Sequence, residues 1–185
     1  MKLHLGCGKR FIPGWVHVDV VDYPHIDLRH SIDDLPMIAS GTVHTIYACH
    51  VLEHFFLQAV PRILKEWWRV LEPGGLLRVA VPDFEQLAAN YLEHHDLEIV
   101  RGSLMGRGDH LYNIHHTVFD LPTLAKALVA AGFVGVRRYD WCETEHASLD
   151  DYSQAYYPHM SRGGQLLSLN VEADKEKVDR LADDR

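Results

Sequence analysis

The tightest constraint on the fold lies in the first 19 residues. Lys2 to Leu5 reads as a short strand that runs directly into Gly6-Cys7-Gly8, and Trp15 to Val20 reads as a second strand carrying Asp19. Between them lies only the turn segment Lys9-Arg10-Phe11-Ile12-Pro13-Gly14. A Gly-x-Gly pair after a strand invites a dinucleotide-binding reading. That reading needs a third glycine inside a helix facing the pyrophosphate, and a ribose-binding acid about 20 residues on. Asp19 stands 11 residues after Gly8, and Pro13-Gly14 leaves room for a turn rather than a helix. Without a helix there is no aligned dipole to receive a diphosphate.

Further along, Ile26 to Ile32 reads as a third short strand, and Val43 to Cys49 as a β-branched buried one. Val60, Ile63, Leu64, Trp67, Trp68 and Leu71 recur at helical spacing, and Pro73-Gly74-Gly75 ends that helix before a strand over Leu76 to Val81. Asp83 is an N-cap candidate for an amphipathic helix marked by Phe84, Leu87, Ala88, Tyr91 and Leu92. Gly102, Gly106 and Gly108 punctuate a loop reaching His116. Asp120-Leu121-Pro122 opens a helix that Gly132 closes, and Phe133 to Tyr139 and Leu166 to Val171 read as the last strands. This alternation predicts an α/β fold with a doubly wound, mostly parallel sheet. One domain over residues 1–185 is expected, with 84–120 as an insert of helix and loop over the site and 172–185 as a charged tail.

A nucleoside ligand without phosphate fits the glycine loop better. S-adenosylmethionine needs backbone close to its methionine part and a carboxylate, here Asp19, for its two ribose hydroxyls. Leu3-His4-Leu5-Gly6-Cys7-Gly8 with Pro13-Gly14-Trp15 and Val18-Asp19 resembles the S-adenosylmethionine-dependent methyltransferases with a seven-stranded Rossmann-like sheet, in their compact bacterial branch. The resemblance continues in order through Asp34-Leu35-Pro36, His50-Val51-Leu52-Glu53-His54, Pro73-Gly74-Gly75 and Ala130-Ala131-Gly132-Phe133. It implies a cofactor site formed by His4, Gly6, Cys7, Gly8, Asp19, Ser31, Ile32 and His50, with S-adenosyl-L-methionine as the cofactor. His4 and Ser31 stand where many relatives carry an acid. The implied reaction is direct displacement on the sulfonium methyl, which asks mainly for positioning and a single general base. His54, His116 and His50 are the candidates for that base, with no metal required.

Histidine is the unusual component, with 14 copies. His50-Val51-Leu52-Glu53-His54 also matches the inverted zinc-protease pattern, in which histidines four apart on one helix face hold zinc and the glutamate acts as base. A zinc hydrolase is therefore a competing reading, and a non-catalytic module with the cofactor fold is another. The methyltransferase reading is favoured because the motif follows a strand instead of lying inside a long helix. His17, His25, His30 and His44 are read as facing solvent from strands or their edges. His115 and His116 are adjacent, so in an extended segment they point to opposite faces and only one can reach a site.

The formal net charge of −8 lacks the basic footprint of a phosphate-backbone binder, so nucleic acid is not expected as a partner. Three widely spaced cysteines suggest reduced thiols, and no apolar run approaches membrane-spanning length, so a cytoplasmic protein acting on a small-molecule or glycan-precursor acceptor is expected. Against the resemblance, the helices that usually cover this cofactor at the N-terminal side are expected to be reduced. Their cover is expected from 84–120, from residues after Tyr139, or from a second subunit in a homodimer.

Overall fold

The computed structural model describes residues 1–177 except His110 and Met160. Its elements are β1 (Lys2–Leu5), β2 (Val16–Asp19), β3 (Leu28–Arg29), β4 (Val43–Cys49), α1 (Val60–Val70), β5 (Leu71–Pro82), α2 (Phe84–His94) and α3 (Leu97–Met105). They continue with α4 (Leu121–Ala131), β6 (Phe133–Arg138), β7 (Tyr156–Tyr157), β8 (Gln165–Leu166) and β9 (Ser168–Lys175). Seven strands form one sheet in the order β3-β2-β1-β4-β5-β9-β6, while β7 and β8 pair separately. The first five strands of that order are parallel, and β9 enters antiparallel between β5 and β6. The order reverses between β1 and β4, the kind of switch point where open α/β sheets bind ligands.

Side chains alternate across the sheet, and the two faces differ in chemistry. Leu3, Leu5, Val18, Ile46, Leu77, Val79, Leu169 and Val171 pack with Ile63, Leu64 and Trp67 of α1 and Leu124 and Leu128 of α4 in one aliphatic core. On the other face one row crosses six strands as His17, His4, Tyr47, Arg78, Glu172 and Arg137. The segment after β6 covers this row. Tyr47 donates to Asp151 Oδ2 at 2.5 Å, and the His146 ring lies 4.1 Å from that of Tyr47. The winding is thus uneven: α1 and α4 share the aliphatic face, and short 3-10 turns at Trp141–Glu143 and Tyr152–Gln154 belong to the cover of the other.

Local signals in the chain account for the helix ends. Asp83 accepts from the Glu85 N–H, and Asp120 forms a capping box with Thr123 before Gly132 closes α4 in the left-handed region. Four expectations change. The third strand shrinks to Leu28–Arg29, because only β2 pairs with it at the sheet edge. Leu97–Met105, read as part of a loop, is a helix capped by Asp96, and its Val100 packs on Leu87 and Leu167. On α2 it is Leu87 and Asn90 that are buried, while Phe84, Tyr91 and Leu92 are exposed. Finally, Glu172 to Lys175 belong to β9 instead of a solvated tail, held by Arg78 and Arg137 on the neighbouring strands. Residues 178–185 of the expected tail lie outside the described residues.

Candidate functional site

Gly6 and Gly8 leave β1 with φ of +61° and +55°. At Gly6 the constraint is also one of space, because a Cβ there would lie 2.2 Å from Val51 Cγ1. The backbone turns tightly against the segment after β4 and opens a cleft of about 320 Å³. Asp19, at the carboxyl end of β2, is buried on the cleft wall. Its Oδ2 accepts from the Gly8 N–H at 2.8 Å and its Oδ1 from the Val21 N–H at 2.8 Å. Two backbone donors fix the plane of the carboxylate, and each oxygen keeps acceptor capacity toward the cleft.

Val20, Val21, Tyr23, Ser31 and Ile32 continue one wall, and His50, Val51, His54 and Phe55 form the other. Ile32 is held from behind by the Trp67 indole, which donates to its carbonyl at 2.8 Å. The Ser31 hydroxyl donates to Asp33 Oδ1, so it is engaged within its own turn. Leu111, Tyr112 and Asn113 close the rim. The structure brings Gly6, Gly8, Asp19, Ser31, Ile32, His50 and His54 together in this cleft. His4 and Cys7 instead border a smaller cavity of about 70 Å³ behind the glycine loop, with Arg10, Asp151 and Tyr152. Burial there keeps the His4 imidazole neutral, with its pKa down at about 3, and pushes the Cys7 thiol up to about 12. Neither matches a nucleophile or a cationic clamp.

The motif after β4 does not form a helix face. His50 has a φ of +52°, and Leu52–His54 is one turn of 3-10 helix. His50 and His54 are therefore not one helical turn apart as the zinc-protease reading requires. Ser168 Oγ donates to Asn170, so His50 Nε2 donates to Ser168 Oγ at 3.0 Å and its Nδ1 carries the lone pair toward Glu53. Burial and the neighbouring histidines hold the His50 pKa down at about 3. Glu53 is fully buried beneath this turn, and desolvation raises its pKa to about 8.

A second cavity of about 280 Å³ adjoins the first, and His50, His54 and Asn113 line both. His115 reaches into this second cavity, while His116 is exposed beside the Phe56 ring, 4.2 Å between centroids. Backbone parity in the segment decides this, since the His116 and Thr117 N–H groups both donate to the Glu53 carbonyl. His17, read as solvent-facing, is buried: its Nε2 accepts from the Ile12 N–H at 3.0 Å, and its Nδ1 lies 3.2 Å from Asp27. Sequence alone does not single out Val20, Val21, Tyr23 or Asn113 for the cleft, and it leaves open which of His115 and His116 faces inward. Proximity to Asp19 could have flagged the first three, but no local signal marks Asn113.

Residues 17–79 match the methyltransferase domain family. A probable S-adenosylmethionine-dependent methyltransferase of Mycolicibacterium smegmatis is 36% identical over 62 residues, 33% of this chain. The matched stretch is only 23% of that relative's length. The fold is that of the S-adenosylmethionine-dependent methyltransferases. A possible histamine N-methyltransferase of Thermotoga maritima superposes with a TM-score of 0.60 at 15% identity, covering 95% of this chain and 82% of that one. A Methanosarcina mazei S-adenosylmethionine-dependent methyltransferase gives 0.58 at 16% identity, covering 96% and 92%. The Burkholderia thailandensis 1,6-didemethyltoxoflavin-N1-methyltransferase, solved with S-adenosylhomocysteine bound, gives 0.58 at 17% identity, covering 95% and 71%. The cofactor of this methyltransferase fold is S-adenosylmethionine. The residues present fit it, with a glycine turn that excludes a Cβ beside a fixed carboxylate at the carboxyl end of β2.

Proposed function

We propose that the protein is an S-adenosylmethionine-dependent methyltransferase acting on a small-molecule or glycan-precursor acceptor. The observation that carries this reading is the placement of Asp19 beside Gly6 and Gly8 in a cleft that continues into a second cavity lined by histidines. Bound in the first cavity, S-adenosylmethionine supplies a methyl group on a sulfonium, an already activated leaving group. Asp19 accepts hydrogen bonds from the ribose hydroxyls, and Gly6 and Gly8 let the backbone lie close to the methionine part. The second cavity is the acceptor's place, and His54 stands at the junction of the two. The net charge of −8 favours a small acceptor over nucleic acid. Among the described residues, no helix is long and apolar enough to cross a membrane. The free thiols of Cys7, Cys49 and Cys142 support the cytoplasmic part of the reading.

Catalysis here rests mainly on positioning. Of the three histidines named from sequence, His50 and His54 line the cleft and His116 does not. His50 is neutral and donates to Ser168, which orients its ring across the junction. The test is a thermal shift with S-adenosylhomocysteine. At a hundredfold excess over Kd the melting temperature should rise by roughly 5–10 °C. Asp19→Ala, checked for folding by circular dichroism, should abolish the rise. Absence of a shift in the natural sequence sinks the reading.

A further inference from the structure

Beneath the junction of the two cavities lies a buried carboxylate, Glu53, to which the methyl-transfer reading gives no role. Glu53 is fully buried, and neither of its carboxylate oxygens has a hydrogen-bond partner. Two histidine nitrogens lie close to it, His50 Nδ1 at 3.4 Å and His115 Nε2 at 4.0 Å from Oε1. A buried carboxylate without donors is costly, and a structure keeps one where a cation or a proton answers it. Glu53, His54 and His115 each offer one ligand atom, and these atoms lie within 4.8 Å of one another.

The two imidazoles are held alike. His54 Nδ1 lies 3.2 Å from the Ile114 carbonyl and His115 Nδ1 lies 2.9 Å from the Ser103 carbonyl. A carbonyl only accepts, so each Nδ1 carries the ring proton and each Nε2 carries a lone pair. The rings meet edge to face at 4.7 Å between centroids. Orientation of the ligand nitrogen through a backbone bond at the other nitrogen is how metal-binding histidines are set.

We propose that Glu53, His54 and His115 form a three-ligand site for a divalent transition metal of the zinc class, with its open coordination positions facing the second cavity. Two imidazoles and one carboxylate suit zinc and its neighbours, whereas magnesium favours an all-oxygen shell. Zinc about 2 Å from each atom needs ligands roughly 3.3 Å apart, so the side chains, whose ligand atoms lie within 4.8 Å of one another, close in by up to about 1.5 Å on binding. This differs from the inverted zinc-protease pattern, because the glutamate is a ligand and the second histidine comes from the segment before α4. A metal here makes His54 a ligand instead of the base assigned from sequence. The open positions then orient a donor atom of the acceptor next to the cofactor cleft. Only that role rests on the methyltransferase reading; the site itself does not.

The test uses the full chain, stripped with chelator and titrated with Zn²⁺ without S-adenosylmethionine, so that its failure is separate from loss of cofactor binding. Metal content by mass spectrometry should reach one equivalent, and Co²⁺ in its place should give visible absorption bands of a nitrogen-oxygen site. Glu53→Gln and His115→Ala should each weaken binding at least tenfold, and His116→Ala should leave it unchanged. Glu53→Gln keeps the side-chain shape; if it fails to fold by circular dichroism, His115→Ala decides alone. No bound zinc, binding of magnesium only, or binding that survives His115→Ala overturns the proposal.

Discussion

On one face of the sheet, Leu3, Leu5, Ile46, Leu77 and Val79 meet α1 and α4 in an apolar core that includes Trp67. On the other, the row His17, His4, Tyr47, Arg78, Glu172 and Arg137 is held by hydrogen bonds, ring contacts and ion pairs from neighbouring strands and from the segment after β6, with His4 Nδ1 left buried without a hydrogen-bond partner. The first face gains from removing apolar area from water, a large and non-directional term. The second buries polar groups, and each has to find its partner for the burial to be tolerated. The same sheet therefore has one face suited to stability and one sensitive to geometry and pH. The glycine loop and the small cavity behind it border the second.

The largest expected effect lies on the aliphatic side. Trp67 is fully buried and also pins Ile32 in the cleft. Trp67→Ala should cost about 3–5 kcal/mol in urea unfolding, and a cost below that of a polar-face variant would reverse the comparison.

Acid should act on the other face. Burial holds the pKa of His4 at about 3 and that of His146 at about 4, against an ordinary value of 6.5. The unfolded chain takes up these protons as pH falls through 6.5, while the folded one resists until near its own lower values. Stability is thus complete above pH 6.5 and lost progressively below it, by about 2 kcal/mol per ring at pH 5. Melting curves at pH 7 and 5 should show the loss, and His4→Gln with His146→Gln should reduce it, leaving the share of His50 and His115 beside the cleft. An unchanged slope in the double variant would place the acid sensitivity elsewhere.

A smaller cost, about 1–2 kcal/mol, is expected for Tyr47→Phe, which removes the bond to Asp151 but leaves the ring in place. Double-mutant cycles with Asp151→Asn measure that coupling, and a value near zero would show the bond to be incidental. Least of all, Arg137→Ala should cost under about 1 kcal/mol, because its pairs with Glu172 and Asp174 are half-exposed.

Much of this was legible locally. The strand, glycine turn and Asp19 are separated by a distance that only a loop can span, and Asp83, Asp120 and Gly132 announce helix ends through their own capping chemistry. His17, by contrast, looks in sequence like any polar residue on an edge strand. Its burial depends on Ile12 and Asp27 arriving from two different loops. Likewise, alternation shows that one of His115 and His116 faces inward, but the register against Glu53 chooses which. The α3 helix was hidden because Gly102 lies inside it and its packing partners Leu87 and Leu167 come from elsewhere.

The sequence by itself determined most of the order of strands and helices, the glycine turn too short to hold a helix, and Asp19 at the carboxyl end of the second strand. These follow from spacing, capping and turn chemistry, which act over a few residues. Only the tertiary structure decided that one sheet face is lined with histidine, tyrosine and arginine beneath the segment after β6, and that Glu53, His54 and His115 meet. Those outcomes depend on contacts between residues as far as 104 positions apart, as with Tyr47 and Asp151. No local preference encodes them, because burial of a polar side chain is settled by whichever distant partner arrives to satisfy it.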